Sequence, residues 1–338
     1  MMPGRLPGSS TLIVYLAVLL LLPIVVPSVP LATEIAIMTL ATLSCHLLLV
    51  YGPLLSFGQG AFFGIGAYLG GLYAIGVGPA APFGAVIAIL VGGLGAAVAA
   101  LLVGMVALRR IAGLGGHGAG GVTFLMLTFA VAQVAYFVAY NAPQLTGGEN
   151  GLLNIPRLSA GLSASDFTLT DPTRFYVFCA VVVGVVVVLV DRFINSTAGQ
   201  AFRAVGENER RASAIGYDVF TLRLTLFVAA GAIAGISGAL YAMFLGLVPL
   251  SAIDLIQSER IVIMTALGGT GSILGAIVGT ICFVLGSDLL SRVWPHWPFA
   301  LGAAIVIVVF FARGGVLGLI ENVLRALRGS RQQSETVE

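Results

Sequence analysis

Apolar segments long enough to cross a membrane alternate with short polar segments along the whole chain. A membrane-spanning helix needs about 20 mainly apolar residues. This length predicts about ten spans, at residues 11–29, 31–51, 57–77, 81–108, 121–140, 173–194, 221–248, 255–270, 272–291 and 298–312. The eighth and tenth are short, which is typical of tilted, broken or re-entrant segments. The pattern therefore predicts an all-α integral membrane protein with about ten transmembrane helices.

Composition supports this prediction. Of the 338 residues, 59% are hydrophobic and 9% are charged, whereas soluble domains carry about 25% charged residues. So few charges cannot cover a globular surface. Arg5 followed by an apolar stretch is similar to a secretory signal, but no small-residue cleavage pattern follows it. We therefore expect the first span to be retained.

The arginines predict how the chain is oriented, because loops on the cytoplasmic side are enriched in basic residues. An even number of crossings with both termini in the cytoplasm places twelve arginines inside: Arg5, Arg109, Arg110, Arg192, Arg203, Arg210, Arg211, Arg223, Arg313, Arg325, Arg328 and Arg331. Only Arg157, Arg174 and Arg292 fall clearly outside. Arg260 is predicted to be intramembrane or at the outer edge.

Three stretches outside the spans carry specific expectations. The outer loop, residues 141–172, contains TGGENGL, whose Gly-Gly and Asn-Gly pairs predict an ordered surface loop where a partner docks. Residues 315–328 place apolar and charged side chains on opposite faces, which predicts a helix on the cytoplasmic membrane surface. Residues 195–220 form a charged segment between two apolar spans, so this segment lies in water near the membrane.

Within the charged segment, Phe202 and Val205 recur near helical spacing, with Arg203 and Glu207 on other faces. This pattern predicts a short amphipathic cytoplasmic helix that ends near Gly216. Gly206 is expected to weaken that helix by about 1 kcal/mol relative to alanine. A solvated loop that only connects two spans stays open as the alternative.

Two glycine-rich stretches, residues 56–71 and 267–279, lie inside predicted spans. Small residues four apart predict close helix packing. The alternative is irregular backbone that lines a transport pathway, which is tolerated where protein or water covers it. The candidate pathway residues are the polar residues of these stretches and one from the fifth span: Ser56, Gln59, Gln133, Thr270 and Ser272.

Enzymatic chemistry has no support in the sequence. All basic residues are arginine, so a phosphate-binding loop of the G-x-x-x-x-G-K-[ST] type cannot be present. The glycines at 113–121 follow no strand and predict a flexible connection. No residue set suggests a catalytic, cofactor or metal site, three dispersed cysteines suggest no disulfide framework, and dispersed arginines suggest no nucleic-acid binding. The energy for any ATP-driven process must come from another subunit.

Ionisable residues inside predicted spans are few: Glu34, His46, Glu259, Arg260 and Asp288. Glu34 and Asp288 lie near outer ends, where interfacial solvation explains them, and His46 is expected to be structural. Glu259 and Arg260 are expected to find separate partners or to reach the outer interface. This set is too small for the spaced carboxylates that an ion-driven pump uses.

Four stretches in this order resemble the LivM-type permease subunits of bacterial ABC importers for branched-chain amino acids: SFGQGAFFGIGAY, TGGENGL, GQAFRAVGENERRASAIGYDVFTLRLTLFVAAGAIAGISGALYA and TALGGTGSILGAIVG. The resemblance covers most of the chain and implies one permease domain over residues 1–338. Residues 113–124 (GLGGHGAGGVTF) depart from the family pattern, as do Gly206 and the pair Arg210–Arg211.

The resemblance implies that the charged segment engages a separate ATP-binding subunit through Gly199, Phe202, Arg203, Glu207, Asn208 and Gly216, with Phe202 filling a groove of that subunit. It also implies two ATP-binding subunits, a second homologous (H-type) permease subunit and a periplasmic substrate-binding protein. The complex would lie in the bacterial inner membrane and import leucine, isoleucine or valine by alternating access. Import of urea or short amides stays open, and an ion-coupled secondary transporter or a membrane enzyme is the alternative from another class.

Overall fold

The computed structural model describes residues 8–52, 54–79, 81–113, 119–161, 169–269 and 272–293, together with 296, 298–299, 302–303, 306 and 315–318. These residues are helical apart from turns, loops and one isolated antiparallel bridge between Leu152 and Val248. The helices are α1 (Gly8–Val25), α2 (Val29–Tyr51), α3 (Gln59–Val77), α4 (Gly84–Gly113), α5 (Ala119–Asn141), α6 (Pro143–Thr146), α7 (Pro172–Asn195), α8 (Thr197–Glu207), α9 (Glu209–Ala214), α10 (Val219–Leu245), α11 (Leu255–Gly268) and α12 (Leu274–Val293), with 3-10 turns at Gly148–Asn150 and Leu250–Ala252.

The all-α prediction is confirmed for the described part of the chain. Seven helices are long and apolar enough to cross a membrane: Val29–Tyr51, Gln59–Val77, Gly84–Arg109, Gly121–Asn141, Pro172–Asn195, Val219–Leu245 and Leu274–Val293. The predicted first span corresponds to α1, which has 18 residues and is not among these seven. Within the described residues, seven of the ten predicted spans are therefore confirmed.

The predicted eighth span, residues 255–270, is the short helix α11. Its 14 residues extend about 21 Å at 1.5 Å per residue, less than the roughly 30 Å of a hydrocarbon core. The predicted tenth span, 298–312, lies mostly outside the described residues, as does the predicted surface helix 315–328. The location of both termini in the cytoplasm stays a prediction.

The chain divides into two compact units, Met1–Val262 and Ile263–Glu338. In the first unit, α2, α3, α4 and α10 form the centre. A Cβ added to Gly66 of α3 would overlap the backbone of Gly235 in α10, and one added to Gly92 of α4 would meet the Gly66 carbonyl at 2.7 Å. The three helices therefore touch through their backbones, and close packing by small residues is confirmed for residues 56–71.

The chain after α10 returns along α3 without forming a helix at first. Val248 lies near Gly71, Ile253 lies against Gly64, and the Ser258 hydroxyl accepts a hydrogen bond from the Gly60 amide at 3.0 Å. Irregular backbone beside a membrane helix is stable only where protein covers it. The small residues of α3 therefore leave room for this irregular segment, and the lining of a transport pathway by residues 56–71 stays a prediction.

In the second unit, the glycines of residues 267–279 also make close backbone contacts. A Cβ at Gly275 would overlap the Gly269 carbonyl, and one at Gly279 would overlap the Met264 carbonyl. Close packing of the second glycine-rich stretch is thus confirmed for its described residues.

The two ends of the first unit differ in charge. One end carries Arg109 over the Phe220 ring, Arg203 over the Tyr51 ring, and Arg223 paired with Glu209. We call it the arginine-rich end. The opposite end carries Arg157 and Arg174 near the start of α7. This distribution agrees with the grouping of arginines made from the sequence, and the location of the arginine-rich end in the cytoplasm stays a prediction of the positive-inside rule.

Substituting Gly66 by alanine tests the backbone contact between α3 and α10. The added methyl group overlaps Gly235, so we expect Gly66→Ala to destabilise the protein by about 1–3 kcal/mol. Gly76→Ala on the same helix is the matched control, because no atom lies within 4 Å of its added Cβ. Thermal unfolding of the purified protein in detergent should show a lower midpoint for Gly66→Ala only. Equal midpoints for the two variants would contradict the backbone contact.

A candidate coupling surface and a buried polar cluster

Polar caps divide the charged segment after α7 into two helices. The Ser196 hydroxyl accepts a hydrogen bond from the Gly199 amide at 3.4 Å and begins α8. The Asn208 side chain accepts from the Arg211 amide at 3.1 Å, so Asn208 ends α8 and begins α9. The prediction of a single helix is therefore wrong. Gly206 falls in the last turn of α8, next to its end, where it does not interrupt a helix interior.

Asp218 begins the following helix, α10. Its carboxylate accepts hydrogen bonds from the amides of Phe220 and Thr221, and from the Thr221 hydroxyl. These bonds, led by the one from the Thr221 hydroxyl, lower the pKa of Asp218. The cap is thus ionised at neutral pH, which suits the positive end of the α10 dipole.

One face of α8 is fixed against the end of α7. Phe202 is 3% exposed, and its ring centroid lies 5.3 Å from that of Phe193. A Cβ at Gly199 would overlap the Ile194 carbonyl, so only glycine lets α8 begin this close to α7. The expectation that Phe202 fills a groove of another subunit does not fit this burial. Phe202 attaches α8 to its own chain instead.

Arg203 also contacts its own chain. Its guanidinium lies 5.6 Å from the centroid of the Tyr51 ring and donates a hydrogen bond to the Ile194 carbonyl at 3.5 Å. Cation–π contacts of this kind contribute about 0.5–1 kcal/mol at partly exposed sites. Arg203 therefore connects α8 to the last residue of α2.

A bidentate ion pair holds α9 against α10. The two guanidinium nitrogens of Arg223 donate to the two carboxylate oxygens of Glu209 at 3.0 and 2.9 Å. Sequence reasoning missed this pair, because no periodic pattern connects residues so far apart along the chain. The only sign of this pair in the sequence is that Glu209 and Arg223 carry opposite charges on either side of the turn predicted near Gly216.

What remains exposed on this segment is a small mixed surface. Ile215 is 78% exposed and Tyr217 is 44% exposed, just after α9, where Gly216 adopts a positive φ of 100°. We define the coupling surface as the exposed residues Glu207, Asn208, Arg211, Ile215 and Tyr217. Of the residues predicted to engage a partner, Glu207 and Asn208 belong to this surface, and Gly216 lies between its residues Ile215 and Tyr217. Gly199, Phe202 and Arg203 lie behind this surface.

Two predicted pathway residues belong to a buried polar cluster. The Ser44 hydroxyl donates to the Gln59 side-chain oxygen at 3.0 Å, and the Ser56 hydroxyl accepts from the Gly58 amide at 3.1 Å. The Gln59 amide nitrogen is buried and has no hydrogen-bond partner among the described residues. With the bond between Gly60 and Ser258, the cluster joins α2, α3 and α11. Ser44 and Ser258 were not predicted, since single serines in apolar spans are common.

The other predicted pathway residues are Gln133, Ser272 and Thr270. Gln133 is half-buried on α5, and its side chain makes no hydrogen bond within the described part of the chain. Ser272 belongs to the second unit, where its hydroxyl is buried without a hydrogen-bond partner in the described region. Thr270 lies outside the described residues.

Comparison with known proteins places these features in context. Residues 29–318 match the protein family described as "Branched-chain amino acid transport system / permease component". The chain is 25% identical over 328 residues to the high-affinity branched-chain amino acid transport system permease protein LivM of Escherichia coli (strain K12), covering 90% of this chain and 73% of that protein.

Two further relatives match over a shorter part of the chain, and one of them is named for a different cargo. The chain is 28% identical over 186 residues to the probable branched-chain amino acid transport permease protein LivM of Methanocaldococcus jannaschii, covering 54% of this chain and 50% of that protein. It is 27% identical over 224 residues to the autoinducer 2 import system permease protein LsrC of Yersinia pseudotuberculosis, covering 63% and 60%. No solved structure matches the chain.

Removing the carboxylate of Glu209 tests whether the ion pair fixes α9. Glu209→Ala should free α9 from Arg223 and raise the rate of tryptic cleavage after Arg210 and Arg211 about fivefold, which corresponds to roughly 1 kcal/mol. Arg174→Ala removes the exposed pair with Asp171 at the opposite end and serves as the control. Fragment yields over time, measured by mass spectrometry, provide the rates. A Glu209→Ala protein cleaved as slowly as the control would show that the pair does not hold α9.

Proposed function

The chain belongs to the family of permease components of branched-chain amino acid transport systems, and we propose from this membership that it is the transmembrane subunit of an ATP-driven importer. The observation that carries the proposal is the coupling surface, which is exposed at the arginine-rich end and fastened to three membrane helices. The sequence has no phosphate-binding loop of its own. ATP hydrolysis therefore enters through a partner that docks on this surface.

The assembly that we propose has two ATP-binding subunits, this chain and a second, homologous permease subunit of the H type. It lies in the bacterial inner membrane, with the coupling surface and both termini in the cytoplasm. A periplasmic binding protein delivers the cargo to the outer loop. Support for this docking site comes from the described part of that loop, in which Leu152 pairs with Val248 and the Ile155 amide donates to the Gly246 carbonyl at 2.9 Å. These bonds hold the loop in one position against the end of α10.

In this mechanism, closure of the ATP-binding dimer displaces α8 and α9. The displacement passes to α7 through Phe202 and Phe193, to α2 through Arg203 and Tyr51, and to α10 through the pair of Glu209 and Arg223. Because α2 is bonded to α3 through Ser44 and Gln59, the buried polar cluster moves with it. Alternating access follows when these helices tilt together.

The proposed cargo is a branched-chain amino acid: leucine, isoleucine or valine. Support comes from the family description and from the relative in Escherichia coli that carries this transport function in its name. The similarity to autoinducer 2 import permeases makes that cargo the second candidate. Urea and short amides stay as further alternatives.

Uptake competition distinguishes these cargoes. Cells that produce the complete transporter should take up labelled leucine, and an excess of isoleucine or valine should reduce this uptake at least tenfold. Urea, acetamide and autoinducer 2 should leave leucine uptake unchanged, because the transporter would not bind them. Uptake of urea or autoinducer 2 without uptake of leucine would contradict the proposed cargo.

A charge in the coupling surface should prevent docking of the ATP-binding subunit. Ile215→Glu places a carboxylate on a side chain that has no packing role in the chain itself, so the variant should fold normally but lose co-purification with the ATP-binding subunit at least tenfold. Leu153→Glu makes the same change on the outer loop, where the side chain is 51% exposed, and should keep co-purification. If Ile215→Glu retained the ATP-binding subunit as well as Leu153→Glu does, this surface would not be the docking site.

A further inference from the structure

Arg260 lies within the membrane-spanning part of the first unit, towards the arginine-rich end. Gly66 packs against Gly235, which is about 18 Å along α10 from Arg223 at the arginine-rich end. Gly60, which bonds to Ser258, is about 9 Å closer to that end than Gly66 along α3. Arg260 follows Ser258 within one helical turn of α11. Arg260 therefore lies nearer the arginine-rich end of the apolar layer, which is about 30 Å thick, than its outer edge.

The side chains on the face of α11 that carries Arg260 are exposed in this chain. Gln257 and Ser258 are buried, whereas Ile256, Glu259 and Arg260 are exposed. A charged side chain that faces lipid chains is unfavourable, most of all at the bilayer centre. Among the described residues, the ion pairs join Arg174, Arg223 and Arg292 to carboxylates and do not include Arg260. We infer that this face of α11 borders a polar environment rather than lipid chains.

Polar groups from two other helices lie near Arg260. Tyr241 of α10 is within electrostatic range of both Arg260 and Glu34 of α2. The Gln257 amide contacts the Met38 sulfur at 3.7 Å, and Glu34 lies one turn before Met38 on the same face of α2. Glu34 thus lies nearer the outer end of the first unit, and Arg260 lies nearer the arginine-rich end. Tyr241 also packs against Phe63, with ring centroids 5.3 Å apart, so the same region offers apolar contact.

We propose that Arg260 binds the carboxylate of an α-amino acid as it passes through the translocation pathway. An arginine binds a carboxylate through two parallel hydrogen bonds, which gives both orientation and affinity. This inference rests on the proposed function, since it requires an amino-acid cargo. It adds the chemistry by which the membrane subunit recognises that cargo.

The test uses the complete transporter in proteoliposomes, with ATP inside and saturating leucine-loaded binding protein outside. Arg260→Gln removes the positive charge but keeps a polar side chain, and we expect at least a tenfold lower rate of leucine uptake. Arg260→Lys keeps the charge without the bidentate geometry and should restore part of the rate. Arg292→Gln is the matched control, because Arg292 is an exposed arginine paired with Asp288. It should transport leucine at the wild-type rate, and all four complexes should assemble to the same extent.

Three other outcomes would overturn the inference. Leucine uptake by Arg260→Gln within twofold of the wild type would show that the guanidinium does not bind the cargo. Failure of both Arg260→Gln and Arg260→Lys to assemble with the second permease subunit would assign Arg260 to a subunit interface. A wild-type complex that imports no amino acid would contradict the proposed function itself, and the inference with it.

Discussion

The backbone contact between α3, α4 and α10 is the constraint on which the rest of the first unit depends. Gly66, Gly92 and Gly235 bring three helices together without side chains between them. The same helix, α3, presents Gly60 and Gly64 on another side, where the chain after α10 returns through irregular backbone. Close packing thus fixes the depth of α11. A side chain at Gly60 or Gly64 would displace the segment that carries Ile253, the buried Ser258 and the exposed Arg260.

The coupling surface depends on the same core through contacts at its back. Phe202 attaches α8 to α7, Arg203 attaches it to the end of α2, and Glu209 attaches α9 to α10. A partner that pushes on Ile215 and Tyr217 therefore pushes on three membrane helices at once. We infer that the residues most exposed in this segment recognise the ATP-binding subunit, whereas the residues buried behind them transmit its movement.

Much of the fold could be predicted from hydropathy, because seven spans need only length and apolar composition. The glycine-rich stretches correctly predicted close packing, since spacing alone carries that signal.

The division of residues 197–214 into α8 and α9 was missed, although the cap at Asn208 is a local feature. The burial of Phe202 and the pair of Glu209 with Arg223 depend on contacts between distant segments, which periodicity cannot reveal. The position of α11 likewise depends on its contact with Gly60. Of the predicted pathway residues described in the first unit, Ser56 and Gln59 belong to the buried cluster and Gln133 does not, because polarity within a span does not show which neighbour a side chain meets.

The central claim is that a separate ATP-binding subunit drives transport through this chain. Leucine uptake into proteoliposomes that hold the complete transporter tests it most directly, with ATP inside and proton and sodium gradients collapsed by ionophores. The account predicts that uptake continues without the gradients and stops when ATP is replaced by a non-hydrolysable analogue. Uptake by this chain alone, driven by a proton or sodium gradient and independent of ATP, would contradict it.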